Sequence, residues 1–360
     1  MRKVFYFHSN ISRIATSQND FIERFVLYAD YVSRVTSNTS VEITLMLGGV
    51  RSSQIHKNLK VISLPKNPIL QLVYLRRILK EHIGPKTLII GDNDVSLVLG
   101  WLASRFVSDI KVQISLHASL DHMLSPIGTF NIIRKHLFFW SLKRVQSIRL
   151  VSSVDVDRLT KLLPVSAPEV VVAPVPINIP LRKPDLSSKT KVAFIGRIHP
   201  ERGLDDLLNI LQLLSNDNKK YSFLIVGDGA KLDWLRSQIP KSELLHVEFL
   251  GHLEQAEIQK IWSEVKVLVS CAPTESYGLT LREALLNESW VVARSNATTI
   301  SIESSFPNLL HTYETPQEAV KEIKELMRNH SVSESFEKFQ QQAKVEQEEF
   351  LFRLAMSWVS

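Results

Sequence analysis

Pro273-Thr274-Glu275-Ser276-Tyr277-Gly278-Leu279-Thr280-Leu281-Arg282-Glu283 joins an apolar run, Val265 to Ser270, to the helix-forming Ala284-Leu285-Leu286. The run reads as a buried parallel strand, and the glycine between strand and helix permits the tight turn. A helix that starts at such a turn leaves its first amides without intrahelical acceptors. It also presents the positive end of its dipole there, which makes an anion site. Glu275 and Glu283 flank that point, eight residues apart. An anion repels carboxylates, so their presence asks for another partner, such as a hydroxyl group. The plainer reading is two solvated glutamates on an ordinary strand-to-helix turn.

Upstream, Lys191-Val192-Ala193-Phe194-Ile195-Gly196-Arg197-Ile198-His199-Pro200-Glu201-Arg202-Gly203 repeats the plan: a short apolar strand, a glycine, two arginines and a helix from Leu204. In one open sheet both stretches end at the carboxyl edge of the strands, where ligands of doubly wound folds bind. Arg197 and Arg202 would meet a diphosphate from one side. The amides of Gly278, Leu279 and Thr280 would meet it from the other.

The two stretches resemble the retaining glycosyltransferases of family 4, through that family's G-R-x-x-x-E-K-G segment and its E-x7-E motif. Phe223-Leu224-Ile225-Val226-Gly227-Asp228-Gly229 is similar to the family's V-G-D-G turn. Val247-Glu248-Phe249-Leu250-Gly251-His252 is similar to its strand-Gly element near the nucleotide base. Four segments in the right order over roughly 100 residues are far more specific than one glycine pattern.

The resemblance implies the GT-B fold, α/β with two Rossmann-like doubly wound parallel-sheet domains facing a cleft. It implies that Glu275 lies near the hydroxyls of the transferred sugar and that Glu283 holds the ribose. Arg197 matches the phosphate-binding arginine, and Arg202 replaces the family's lysine with a planar fork. Gly251, Tyr277, Gly278, Leu279 and Thr280 complete the implied nucleotide-sugar site. His117 ends the run Ile114-Ser115-Leu116. A lone strand-end histidine usually reads as a hydrogen-bonded structural residue. The resemblance instead puts His117 near the transferred sugar, with His122 the less favoured neighbour.

The chain also departs from the family. His8-Ser9-Asn10-Ile11-Ser12-Arg13 has no glycine where a glycine-rich loop is usual, and Pro174-Val175-Pro176-Ile177-Asn178 stands for P-N-G-V-D. Ser295-Asn296-Ala297-Thr298-Thr299 replaces a Gly-Gly turn. These changes mark a divergent member.

The chain has 360 residues, 44% hydrophobic and 22% charged, which suits two globular domains and excludes extended disorder. No apolar stretch reaches the ~18 residues needed to span a bilayer. Met1-Arg2-Lys3-Val4-Phe5-Tyr6-Phe7 imitates a signal peptide, but its apolar part stops at His8. It reads as a first strand, and the expected location is cytoplasmic. Cys271 is the single cysteine, so no internal disulfide can form, and it reads as a small apolar residue at a strand end. Residues 1–185 carry 24 Lys and Arg against 13 Asp and Glu, a net +11, while residues 186–360 carry 19 against 24, a net −5. That asymmetry points to a polyanionic surface touching the first half only.

Val4–Phe7, Val41–Leu47, Val61–Leu64, Leu88–Ile90, Val112–Leu116, Ile148–Val151 and Val170–Ala173 read as strands between helical segments. A second alternating block has strands at 191–195, 222–226, 246–250, 265–270 and 290–293. The expected division is an acceptor domain over 1–180, a Pro- and Ser-containing linker over 181–190 and a nucleotide-sugar domain over 191–340. Gln317–Asn329 reads as a helix and Ser333–Trp358 as another, broken or bent. By analogy with the family, residues 341–360 cross back to the first domain; the alternative is packing on their own domain.

Asp92-Asn93-Asp94 follows a strand and could bind a metal in a different transferase fold, but one D-x-D arises easily by chance. The expected metal set is therefore none. Asp155 and Asp157 read as a helix start. The segments Leu70–Lys80 and Arg134–Arg144 mix aromatic or aliphatic residues with basic clusters. They fit helices lying on an anionic membrane face, or ordinary packed helices with a solvated basic edge. No aromatic platform for nucleic acid is present.

The resulting expectation is a retaining, metal-independent hexosyltransferase. It uses a UDP- or GDP-linked sugar as donor substrate and no separate cofactor. The acceptor is a glycan or lipid-linked precursor in cell-surface polysaccharide assembly, with the enzyme peripheral on the inner membrane face. The alternatives are a non-catalytic nucleotide-sugar-binding partner of another transferase and a GT-B sugar-nucleotide epimerase.

Overall fold

The computed structural model describes residues 2–9, 18–36, 41–48, 52–56, 58–82, 87–92, 94–105, 110–117, 120, 129–142, 145–163, 168–177, 189–328 and 333–359. Two compact units result: Met1–Pro176 with Gln347–Ser360, and Ile177–Glu346. Residues 181–188 of the expected linker and His122 lie outside the described residues.

In the first unit the elements are β1 (Arg2–His8), α1 (Gln18–Val35), β2 (Val41–Gly48), β3 (Ser53–His56), β4 (Leu59–Leu64), α2 (Pro68–His82), β5 (Thr87–Gly91), α3 (Asp94–Ser104), β6 (Ile110–Leu116), α4 (Thr129–Leu142), β7 (Ser147–Leu150), α5 (Val156–Leu162) and β8 (Glu169–Val172). The sheet order is β3-β4-β2-β1-β5-β6-β7-β8. Alternate residues of a strand face opposite sides, so the continuous apolar run of β1 serves two cores. Phe5 and Phe7 pack with Leu75 and Leu79 of α2 and Leu99 of α3. Val4 and Tyr6 pack with Phe21, Phe25 and Tyr28 of α1, and with Leu354 and Trp358 near the C-terminus. Arg2 Nη1 donates to the Trp358 carbonyl at 3.1 Å, which ties the first strand to the last turns. Because β1 pairs in parallel with both β2 and β5, the winding reverses between β1 and β5.

The expectation of seven parallel strands omits β3. Ser53-Gln54-Ile55-His56 carries no apolar run, yet it pairs antiparallel with β4 at the sheet edge. An edge strand with one partner needs no two-sided burial, so its sequence lacks the usual pattern.

The second unit contains β9 (Lys191–Ile195), α6 (Leu204–Ser215), β10 (Tyr221–Val226), α7 (Leu232–Gln238), β11 (Leu245–Gly251), α8 (Gln255–Ile261), β12 (Val265–Ser270), α9 (Leu279–Leu286), β13 (Trp290–Arg294), α10 (Ala297–Ser305), β14 (Leu310–Tyr313) and α11 (Pro316–Arg328), and the last helix, α12 (Ser333–Val359), begins there. The strand order is β11-β10-β9-β12-β13-β14, and every pairing is parallel. This is the 3-2-1-4-5-6 order of doubly wound dinucleotide folds, with the switch between β9 and β12. Four-residue β14 is another edge strand that the sequence reading omitted.

α12 runs unbroken for 27 residues, which removes the break from the expectation of a broken or bent helix. Phe336 and Phe339 join the core of the second unit, whereas Leu351, Leu354, Ala355 and Trp358 join that of the first. One helix serving two cores has no single continuous apolar stripe, so its pattern imitates an interruption. No helix among the described residues is long and apolar enough to cross a membrane.

Candidate functional site

At the switch point of the second unit, β9 and β12 lie side by side, with Val192 opposite Val267 and Ala193 opposite Leu268. The loops that leave their carboxyl ends therefore begin as neighbours. Gly203 has φ +68° and caps α6. A Cβ there would stand 1.9 Å from the Cys271 carbonyl oxygen, so only glycine lets the two loops approach this closely. Arg202, one residue earlier, reaches across and its Nη1 donates to Glu275 Oε1 at 2.7 Å. Ile195, Arg202, Ser270, Glu275 and Thr280 line a small cavity at this point.

Burial pushes the Glu275 carboxyl above the ordinary glutamate range, and the charge and hydrogen bond of Arg202 pull only part of the way back. Gly278, at φ +70°, starts α9, so the amides of Leu279 and Thr280 lie in its first turn. Tyr277 is half-buried, and the Arg282 guanidinium lies 4.4 Å from the centroid of its ring while Arg282 Nε donates to the Tyr277 carbonyl. Glu283 is buried on α9, where Gln255 Nε2 donates to its Oε1 at 3.3 Å. The glutamates eight residues apart thus have different surroundings: one meets a guanidinium and the other an amide.

Residues 181–345 match the family model described as glycosyl transferases group 1. That segment is thus similar to the group 1 glycosyl transferases. Glycogen synthase of Mycobacterium tuberculosis is 25% identical over 151 residues, covering 40% of this chain and 36% of that protein. The chain thus spans little more than a third of that relative's length. Among solved structures, sucrose-phosphate synthase from Thermosynechococcus elongatus superposes with a TM-score of 0.72 at 13% identity, covering 98% of this chain and 94% of that one. An Anabaena protein in complex with UDP and glucose gives 0.69 at 15% identity, covering 100% of both chains. At these identities the likeness is one of fold, and the fold is GT-B: two parallel-sheet α/β units.

The loop between β12 and α9 is braced from α10, the segment that stands in place of a Gly-Gly turn. Asn296 caps α10 by accepting from the amides of Thr298 and Thr299, while Thr299 Oγ1 accepts from the Asn296 amide in return. Thr298 Oγ1 then donates to the carbonyls of Glu275 and Ser276 at 2.8 and 3.1 Å. The spacing Asn-x-x-Thr was the available signal for this cap. What the cap holds was not readable, because the bond spans 23 residues.

Not every expected site residue joins this pair. Arg197 lies 3.4 Å from Glu201 Oε2, a neighbour in its own loop. Gly251, at the end of β11, accepts from the Gly227 amide at 2.7 Å, with two strands, β10 and β9, between it and β12.

His117 belongs to the first unit, where its Nε2 lies 3.4 Å from Tyr6 Oη. Asp92 also meets Tyr6, at 3.1 Å, and its Oδ1 lies 3.4 Å from His8 Nε2. Asn93 and the Asp94 side chain lie outside the described residues. Among the described residues no group of three or more His, Cys, Asp or Glu is placed to hold a metal ion. Cys271 is 1% exposed, and burial raises its thiol to about 12, which suits a packed core residue. Asp155 accepts from the Leu120 amide at 3.0 Å and stands at the start of α5.

Proposed function

We propose that the protein is a retaining hexosyltransferase of family 4 whose donor, a UDP- or GDP-linked sugar, binds at the switch point of the second unit. The contact between Arg202 and Glu275 carries this reading, because a guanidinium and a carboxylate meeting beside the start of α9 offer a donor suited to a diphosphate and an acceptor suited to a sugar hydroxyl. The Anabaena structure, with UDP and glucose bound to the same fold, supports the donor class. In the reaction the bond from C1 of the sugar to the diphosphate breaks, an acceptor hydroxyl oxygen bonds C1 on the same face, and the proton of that hydroxyl passes to the departing diphosphate oxygen. The electron pair leaves with the diphosphate. Arg202 and the amides of Leu279 and Thr280 stabilise that growing negative charge as fixed donors. Glu275 orients the sugar through its hydroxyls, and Glu283 holds the ribose. Arg197 adds a second charge to the phosphate side, and Gly251 lets the strand end approach the base. His117 and the acceptor belong to the first unit.

The acceptor in this reading is a glycan or lipid-linked precursor at a membrane face. Its support is the net +11 of residues 1–185 and the apolar surface of α2, where Ile69 is 74% exposed and Val73 57%.

The test is incubation with UDP- and GDP-sugars while released nucleoside diphosphate is measured. Slow hydrolysis by the wild type, lost in Glu275→Ala, is the expected result. Binding without turnover favours a non-catalytic nucleotide-sugar-binding partner of another transferase, and absence of binding rejects both readings.

A further inference from the structure

At the carboxyl edge of the first unit's sheet, three neighbouring strands bring four titratable side chains into one connected set. Tyr6 and His8 lie on β1, Asp92 follows β5 and His117 follows β6. Tyr6 Oη donates to Asp92 Oδ2 at 3.1 Å and stands 3.4 Å from His117 Nε2. On the other side of the carboxyl, His8 Nε2 lies 3.4 Å from Asp92 Oδ1. Tyr6 is 1% exposed, and the donor chemistry proposed above uses neither it nor Asp92.

A tyrosine has a single hydroxyl hydrogen. Here it goes to Asp92, so Tyr6 Oη turns a lone pair toward His117, and the ring nitrogen facing that lone pair must carry the hydrogen. We propose that Tyr6 and Asp92 are positioning residues that hold His117 as the Nε2–H tautomer, leaving Nδ1 as the ring's acceptor for a bound hydroxyl group. The consequence for sugar transfer rests on the function proposed above; the tautomer itself does not.

The arrangement survives a change of charge on Asp92. As a carboxylate it accepts from Tyr6 on Oδ2 and from His8 on Oδ1. Burial pushes this carboxyl up to about 8, so at neutral pH it also holds a proton. Placed on Oδ1, that proton is donated to His8, while Oδ2 still accepts from Tyr6. Burial holds His8 down at about 4, which keeps its ring neutral and able to serve in either direction. His117 is lowered well below the ordinary histidine value, first by burial and then by Arg149, Arg24 and His8. It is a neutral imidazole with one hydrogen to place, and the tyrosine places it.

Long-range proton–nitrogen spectra of protein carrying ¹⁵N-histidine report the tautomer directly, with His117 assigned by its loss in His117→Gln. The wild type at pH 7 is expected to be predominantly Nε2–H. Tyr6→Phe should shift the tautomer ratio by about fivefold toward Nδ1–H, the worth of one ordinary hydrogen bond. Asp92→Asn, whose amide oxygen still accepts from Tyr6, should retain the wild-type ratio. Should Tyr6→Phe not fold, Asp92→Ala removes the acceptor that orients the hydroxyl and carries the same expectation. A wild-type Nδ1–H ring overturns the proposal, as does a ratio unmoved in the folded variant. No substrate enters this measurement. The expected tautomer in a protein that transfers no sugar therefore sinks the proposed function and leaves this inference standing.

Discussion

Arg202 Nη1 and Glu275 Oε1 meet at 2.7 Å although 73 residues separate them in the chain. The contact joins the loops after β9 and β12, and both partners are more than half buried, with side chains 31% and 14% exposed. In the function proposed above, this charge-assisted pair beside a helix start receives a group that carries both phosphate and hydroxyls. Truncating Arg202 to methionine should weaken nucleoside diphosphate binding by about 10- to 100-fold in calorimetry, as expected for a lost hydrogen bond to a charged group. Arg202→Lys keeps the charge but not the fork and should fall between. Unchanged affinity in Arg202→Met would remove Arg202 from the site.

Gly203→Ala tests the contact between loops. The added Cβ would stand 1.9 Å from the Cys271 carbonyl oxygen at a φ of +68°, so backbone must move. A loss of roughly 2–4 kcal/mol is expected from strain and displaced packing. Urea unfolding of the second unit measures it, and a loss below about 0.5 kcal/mol, the range of neutral surface changes, would mean that the loops separate freely.

Lys189 is 3% exposed, and the hydrogens of its Nζ are shared among four acceptors, the carbonyls of Trp262, Val265 and Asn287 and Ser289 Oγ. Trp262 and Asn287 are the C-caps of α8 and α9, so one ammonium answers the negative ends of two helices. Lys189→Met leaves these carbonyls without their donor and should cost about 3 kcal/mol in the same unfolding measurement. A neutral result would mean that water or backbone shifts replace the lysine.

Asp92 makes stability depend on pH. Its carboxyl rises from 3.8 to about 8 on folding, so between these values the folded chain holds a proton that the unfolded chain has released. Its stabilising contribution is complete below about pH 4 and disappears as pH rises through 8. His8 falls from 6.5 to about 4 and opposes it between those values, and Lys189 falls from 10.5 to about 7 and opposes it above 7. Comparison with Asp92→Asn isolates the aspartate. The wild type should lose up to about 1.4 kcal/mol per pH unit relative to the variant between pH 4 and 8. A flat difference in urea unfolding across that window contradicts a buried, proton-holding carboxyl.

Ile69 and Tyr74 on α2 are 74% and 51% exposed, so changing both to aspartate should leave folding within about 0.5 kcal/mol per site. If the first unit rests on an anionic membrane, the wild type sediments with vesicles containing phosphatidylglycerol, less so at high salt, and the double variant binds at least about tenfold more weakly. Equal recovery with neutral and anionic vesicles refutes the membrane reading.

Long apolar runs were legible because a strand covered on both faces must be apolar throughout. Val265–Ser270 and Lys191–Ile195 were found with the bounds they have in the structure. The edge strands β3 and β14, each of four residues, were not found, since one-sided pairing demands less of their side chains. The loop residues Arg202, Glu275 and Gly278 could be named from strand, glycine and helix order. The brace from Thr298, the lock at Lys189 and the joining of Tyr6, Asp92 and His117 could not, because each needs partners brought together from distant parts of the chain.

Sequence by itself determined the two α/β blocks, since hydrophobic periodicity and turn residues act over a few positions and show in any short window. Tertiary structure alone decided the partners: that Arg202 answers Glu275, that Lys189 ends two helices, and that one tyrosine stands between an aspartate and a histidine. Hydrogen bonds and ion pairs form at about 3 Å, and chain order does not encode such distances until the sheet has placed its strand ends side by side.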